Sequence, residues 1–433
     1  MGTVEQRQTT PVCEDDSMVH CRKFFCLVFL LLVTPSMSAE WPQFRGPDGQ
    51  GHSDAEGIPL DWSEEESVTW KTEIPGEGWS SPVIWGNQIW MTSAASDGKS
   101  LHAICVEKTS GRLLHDVEVL RPADSGPKHA LNGFASPTPV LDGKHIYVHF
   151  GSRGTACLDL QGNLVWKNTT LPFDAPQGAA SSPILHGDLL ILTCDGTDQQ
   201  FLAALDKATG EIRWKQPRQH LERARSINPI FQMAYSTPLV GEVDGAPQLV
   251  STSAEHVAAY DLRTGEELWW MQYEGCSLVG RPSFGNGLFY VVGSIKLDHH
   301  AVYAIRPGGQ GRISEEQLMW QLSEGIPHVP SPLLKGQEVF VVHDGGTASC
   351  IDAITGKVHW KKRLGGNFRS SPIEVQNRIY VSSQEGEMHI FEASKDFKLL
   401  ATNQLDGKFF ASPAIADGAL FLRSETHLYR IEE

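Results

Sequence analysis

Ala204-Leu-Asp206-Lys-Ala-Thr-Gly210-Glu-Ile-Arg-Trp214 is the stretch on which the fold turns. An apolar run ends at Asp206, a short turn closes on Gly210, and a tryptophan follows four residues later. Glycine accepts the positive φ such a turn needs, and Asp and Thr side chains close it with hydrogen bonds to the backbone. The phrase returns as Ala259-Tyr-Asp261-Leu-Arg-Thr-Gly265 before Trp269, and as Cys350-Ile-Asp352-Ala-Ile-Thr-Gly356 before Trp360. Trp166 stands four residues after Gly162, and Trp320 holds the same place after a longer turn. Two copies depart, with His115 and Leu400 at the Trp position; for His115 packing or exposure is expected, not catalysis.

Upstream of each phrase lies a proline head: Ser-Pro82, Thr-Pro139, Ser-Pro183, Thr-Pro238, Arg-Pro282, Ser-Pro332, Ser-Pro372 and Ser-Pro413. The spacings are 57, 44, 55, 44, 50, 40 and 41 residues, near the period of propeller blades. Between head and turn sit short β-branched and aromatic runs such as Ile146-Tyr-Val-His-Phe150 and Val339-Phe-Val-Val342. Each copy therefore predicts two hairpins, a four-stranded blade, and the whole an all-β, eight-bladed β-propeller. The eighth copy ends at Ile431-Glu-Glu433 without its Trp strand, while Val68-Thr-Trp70-Lys71 stands before the first head. Pairing that N-terminal strand with the last blade closes the ring and covers a sheet edge. Residues 40–67 then form an N-terminal extended segment and 68–433 the propeller. Trp70, Trp166, Trp214, Trp269, Trp320 and Trp360 are the structural repeat tryptophans, expected between blades with the indole N–H on a backbone acceptor.

The phrase resembles the PQQ-like, or quinoprotein-type, β-propeller repeat family, with its Ala-x-Asp-x-x-Thr-Gly-x-x-x-Trp pattern, from about Trp41 to the C-terminus. Trp41-Pro-Gln-Phe-Arg-Gly-Pro47, Tyr147-Val-His-Phe-Gly-Ser-Arg-Gly-Thr-Ala-Cys-Leu-Asp159 and Val329-Pro-Ser-Pro332 are similar to phrases of an exported bacterial group within it. That group resembles the BamB-type outer-membrane assembly scaffold, which implies partner binding without catalysis. The quinone-dependent dehydrogenases of the family imply more: adjacent cysteines beside the cofactor, and carboxylates that hold Ca²⁺ and act as base. This chain has no adjacent cysteine pair, and Asp206, Asp261 and Asp352 belong to turns. No cofactor is expected; PQQ with Ca²⁺ enters only as the alternative.

The bulk numbers agree with an exported domain. The 433 residues carry a net charge of −16, with no basic stripe, which excludes an electrostatic footprint for nucleic acid. Arg22 and Lys23 precede an apolar run from Phe24 to Val33, and small residues lead to Ala39. That order reads as a secretory signal peptide over 1–39, cleaved after Ser38 or, preferably, Ala39. Met18 is a second candidate start, which would leave 1–17 untranslated. A periplasmic or secreted protein with no membrane span after cleavage is implied. Five cysteines remain, Cys105, Cys157, Cys194, Cys276 and Cys350. Three share one repeat position and lie on different blades, too far apart to bridge.

Side chains just before each proline should line the axial funnel: Trp79, Tyr235, Arg281, His328, Phe368, Arg369 and Phe410. Rings, arginines and an imidazole converging on one pocket suit an anionic or carbohydrate-like ligand, or a peptide. Of these, Trp79, Tyr235, Arg281, His328 and Arg369 are the candidate ligand-binding set; no catalytic or metal-binding residue is assigned. Two long interblade stretches are further candidates, Val117–Phe134 with Arg121, Lys128 and His129, and Gln216–Met233 with Arg218, Arg223 and Arg225. The function expected is an exported, monomeric, non-catalytic binding or scaffold propeller, its partner an envelope or extracellular protein or a small anionic or carbohydrate ligand. The alternatives are a PQQ-dependent oxidoreductase and a polysaccharide-active enzyme using the funnel.

Overall fold

Alternating short strands and Gly-bearing turns bring each repeat back on itself as an antiparallel sheet, and the eight sheets follow one another in chain order around an axis. The computed structural model describes residues 40–222, 228–273, 279–296 and 299–433. Residues 1–39, where a signal peptide is expected, and Cys276, Arg223 and Arg225 lie outside the described residues. Blade 1 runs Val83–Trp85, Gln88–Ala94, Leu101–Glu107, Leu113–Leu120 from inside to outside, and blade 3 runs Ile184–His186, Leu189–Asp195, Gln200–Asp206, Ile212–Pro217. Blades 2 and 4 to 7 repeat the plan from the strands that follow Pro139, Pro238, Pro282, Pro332 and Pro372.

Blade 8 is composite. Ala414–Ala416, Ala419–Arg423 and His427–Ile431 come from the end of the chain, and the outer strand is Val68–Glu73. It pairs antiparallel with Trp70 opposite Arg430 and Thr72 opposite Leu428. The ring is thus an eight-bladed propeller closed by an N-terminal strand.

The core lies between blades, where apolar faces of neighbouring sheets meet. Tyr147 and Cys157 of blade 2 share one buried cluster with Leu190, Leu192 and Ala203 of blade 3. Cys105, Cys157, Cys194 and Cys350 are buried and unbridged, and burial pushes the Cys157 and Cys350 thiols up to about 12.

The Trp and Gly of the repeat are two halves of one contact. Trp166 donates its indole N–H to Lys207 O of the next blade at 2.9 Å, and a Cβ on Gly210 would lie 2.5 Å from its ring. The same pairing joins Trp70 to Gly111, Trp214 to Gly265 and Trp320 to Gly356. These indoles donate to Lys108 O, Leu262 O and Ala353 O of the following blade. The Gly therefore serves twice, by a positive φ of 75° at Gly210 and by leaving the Trp a flat seat. His115 fills the role in blade 1, its ring 3.3 Å from a Cβ on Gly162 and stacked on Trp90.

Two positions differ. Trp269 turns its N–H to Gln248 Oε1, because Gly311–Arg312 from blade 5 pairs alongside it where the next turn would lie. In blade 7 the register residue is Ala401, opposite Ile390, and not Leu400. The turn there has no Gly from which to count; Phe397 occupies it and packs on Trp360 with centroids 4.9 Å apart. Every outer strand carries a register shift one step before this position. Such a bulge sharpens the twist that fans the blades apart.

Candidate functional site

Proline has no N–H to give a ladder, so it opens the innermost strand of each blade and the chain before it is free to face the axis. In extended chain, residues one and three before the proline share a face. The structure uses both registers.

The residue immediately before each proline builds a ring of hydrogen bonds. Ser81 N–H donates to the Thr138 hydroxyl, Thr138 to Ser182 and Ser182 to Thr237, each at 2.9 Å. After a break, Arg281 N–H donates to Ser331 at 3.0 Å, Ser331 to Ser371 at 3.0 Å, Ser371 to Ser412 at 2.8 Å, and Ser412 back to Ser81 at 3.0 Å. The break falls at Arg281, which brings no hydroxyl; there the Ser236 hydroxyl donates to Gly280 O at 2.9 Å instead. The repeated Ser/Thr before Pro is thus an acceptor that each blade offers to the one before it.

Three residues before each proline stands the second tier: Trp79, Ser136, Ala180, Tyr235, Val279, Val329, Arg369 and Phe410. All eight line a single cavity of about 740 Å³ at this end of the axis, with six of the hydroxyl-ring residues. Trp79 lies against Phe410 with centroids 4.3 Å apart. Tyr235 Oη donates to Gln177 Oε1 at 2.5 Å, and Arg369 pairs with Asp344, which also accepts the His328 N–H at 2.6 Å. The His328 and His300 rings stack at 4.8 Å. The Trp79 indole N–H and the Arg369 Nε–H are buried without an acceptor.

The long interblade stretches form the wall. His129, Leu131 and Asn132 come from one, Ile230 and Phe231 from the other. Arg121 instead pairs with Glu118 at the surface, Lys128 Nζ donates to Asn132 O, and Arg218 is sealed in an ion pair with Asp195.

Of the candidate binding residues, the structure brings Trp79, Tyr235, His328 and Arg369 together in the cavity, with Phe410. Phe368 lies instead in the buried core between blades, although His328 at the same offset from its proline lines the cavity. Arg281 is 2% exposed and reaches toward the N-terminal segment, where Nη1 donates to Phe44 O at 2.8 Å.

That segment is the part sequence reasoning left unplaced. Trp41 exchanges backbone hydrogen bonds with Ile84, Pro42 O accepts from Leu141 N–H, Gln50 Oε1 accepts from Phe284 N–H, and Gly51 O accepts from Glu374 N–H. His52 reaches Leu334 O. Each of those partners lies two residues after its proline, so residues 41–52 cross the far end of the inner strands. Phe44 alone extends from this plug to line the cavity. The signal was Gly46, Gly49 and Gly51, all at positive φ, in a stretch that does not repeat.

The donor set does not fit the quinone with Ca²⁺ that the repeat resemblance implies for dehydrogenases. Among the described residues the lining holds three histidines and one arginine, but no carboxylate and no thiol. Ca²⁺ takes six to eight oxygen ligands with carboxylates among them.

The family model of the outer membrane protein assembly factor BamB matches residues 102–294 and 253–408. Tetrathionate hydrolase of Acidithiobacillus ferrooxidans is 24% identical over 217 residues, 42% of this chain and 41% of that protein. Methanol dehydrogenase [cytochrome c] subunit 1 of Methylorubrum extorquens is 26% identical over 165 residues, 36% of this chain and 26% of that protein. The matches thus span less than half the length of these curated relatives. The crystal structure of BamB from Moraxella catarrhalis superposes with a TM-score of 0.57 at 12% identity, covering 84% of this chain and 99% of that one. At that identity the likeness shows the fold alone.

Proposed function

This chain belongs to the BamB-type family of PQQ-like β-propellers, and from that premise we propose that it is an exported, non-catalytic binding propeller whose axial funnel holds a carbohydrate-like or anionic ligand. The observation that carries this is the funnel lining itself: one side chain from every blade converges on a cavity of about 740 Å³, within the range of small-molecule sites. Trp79 and Phe410 supply a flat aromatic wall for a sugar face, and Arg369, His129, His300 and His328 supply polar and cationic contacts. The unpartnered Trp79 N–H and Arg369 Nε–H are donors that a ligand oxygen would complete.

Among the described residues no helix is long and apolar enough to cross a membrane. Export rests on the signal-peptide reading of residues 1–39, and N-terminal sequencing of the mature protein tests it.

A glycan and organic-acid panel, read by intrinsic fluorescence and repeated with Trp79→Ala and Arg369→Ala, tests the ligand. Saturable binding lost in both variants supports the reading. Binding unchanged in both, or dehydrogenase turnover after addition of PQQ and Ca²⁺, overturns it.

A further inference from the structure

The plug at the foot of the funnel buries more positive charge than it balances. Arg45 is fully buried and Arg281 nearly so. The two guanidiniums share one loop: Arg281 donates to Phe44 O, a side chain at Gly49 would collide with Arg281, and a Cβ at Gly51 would lie 3.0 Å from Arg45 Nη2. Gly49 and Gly51 thus let both cations approach the backbone of Phe44–Gly51. Yet Nε, Nη1 and Nη2 of Arg45, and Nε of Arg281, have no acceptor. A guanidinium keeps its proton at neutral pH and carries five N–H donors. Burying it unpaired is strongly unfavourable.

The carboxylate whose charge acts on both is Asp48, and it is engaged elsewhere. Its Oδ1 accepts from Gln50 N–H at 2.7 Å, and its Oδ2 lies 2.6 Å from His52 Nδ1. His52 Nε2 lies 2.6 Å from Leu334 O. A carbonyl only accepts, and so does the ionised Asp48; each His52 nitrogen therefore donates, and the ring is an imidazolium. Three cations face one carboxylate. Burial and the neighbouring Arg281 push the Arg45 guanidinium down to about 9, as expected of a cation short of counter-charge.

We propose that a chloride-sized anion sits against the orphaned N–H groups of Arg45 and Arg281, as a structural part of the axial plug. Neither guanidinium lines the cavity above, and both are buried, so the site is distinct from the funnel and suits a small ion. The anion completes the donors of Arg45 and offsets the charge that Asp48 leaves unbalanced. Chloride passes through gaps of water size, which a polyatomic organic acid does not.

Crystals of the full mature chain grown in sodium bromide, with data at the bromine edge, test the site. The expected result is an anomalous peak within hydrogen-bonding reach of both guanidiniums. Thermal unfolding at constant ionic strength, with bromide replacing gluconate, should rise by about 1–2 °C per tenfold bromide once the site titrates. Arg45→Met should abolish that dependence. Ordinary water density beside Arg45 with no anomalous peak overturns the proposal, as does a bromide dependence that Arg45→Met retains. If Arg45→Met fails to fold, diffraction from the unaltered protein still decides.

Discussion

The backbone N–H of Ser412 donates to the hydroxyl of Ser81 at 3.0 Å, joining the last blade to the first across 331 positions of sequence. Both residues are buried. Ser81→Ala removes the acceptor and leaves that N–H unsatisfied, a cost of about 1–3 kcal/mol. Ser81→Thr should restore it, since Thr138 and Thr237 already serve at this register. Urea unfolding of the two variants reads the difference.

Ring closure by Val68–Glu73 rests on Trp70, whose indole N–H donates to Lys108 O at 3.1 Å. Trp70→Phe keeps most of the packing and should cost about 1 kcal/mol. Trp70→Ala should cost about 3 kcal/mol, toward the low end for a tryptophan because the ring is only part-buried. The midpoint of denaturant unfolding measures both.

Gly210→Ala places a methyl 2.5 Å from the Trp166 ring at a φ of 75°. The backbone strain contributes about 1–2 kcal/mol and the overlap about 1–3 kcal/mol. In a Trp166→Leu background the overlap should vanish while the backbone cost remains. A double-mutant cycle separates the two.

Acid stability should report His149. The ring is 2% exposed, and burial pushes it down to about 4. The unfolded chain takes up a proton near the ordinary value of about 6.5, and the folded protein resists until about 4. Between those values the unfolded state binds more protons, so stability falls as pH drops, by about 3 kcal/mol in all. His149→Gln should flatten that limb of the Tm–pH curve. His52 has the opposite sign: Asp48 raises it against the lowering effect of burial. Its contribution is full below the ordinary histidine value and is lost as pH rises through the raised one; His52→Gln removes it.

The blade count, the closing strand and the Trp register were legible because they repeat: a copy that lacks a Trp strand points to the strand that supplies it. Trp79, Tyr235, Arg369 and Phe410 were legible as axial for the same reason, each standing three residues before a proline. Phe368 and His328 stand at one offset before their prolines, yet Phe368 is in the core and His328 in the cavity, so position alone does not tell them apart. Counting four residues past a Gly failed in blade 7, where Phe397 stands in place of the Gly. The plug was not legible. Residues 41–52 meet five blades through backbone groups and the side chains of Gln50 and His52, and a segment without a repeat carries no register to read. Arg281, the one proline head without a hydroxyl, reads as a charge in the sequence, while its significance lies in the missing acceptor.

Ligand binding in the axial funnel is what the proposed function stands on. Affinity selection from native envelope extract, read by mass spectrometry, tests it most directly when the mature protein is run beside a Trp79→Ala, His328→Ala, Arg369→Ala triple variant of unchanged fold. Sugars or organic anions should be retained by the unaltered protein and absent from the variant. The same retained set on both proteins would contradict it.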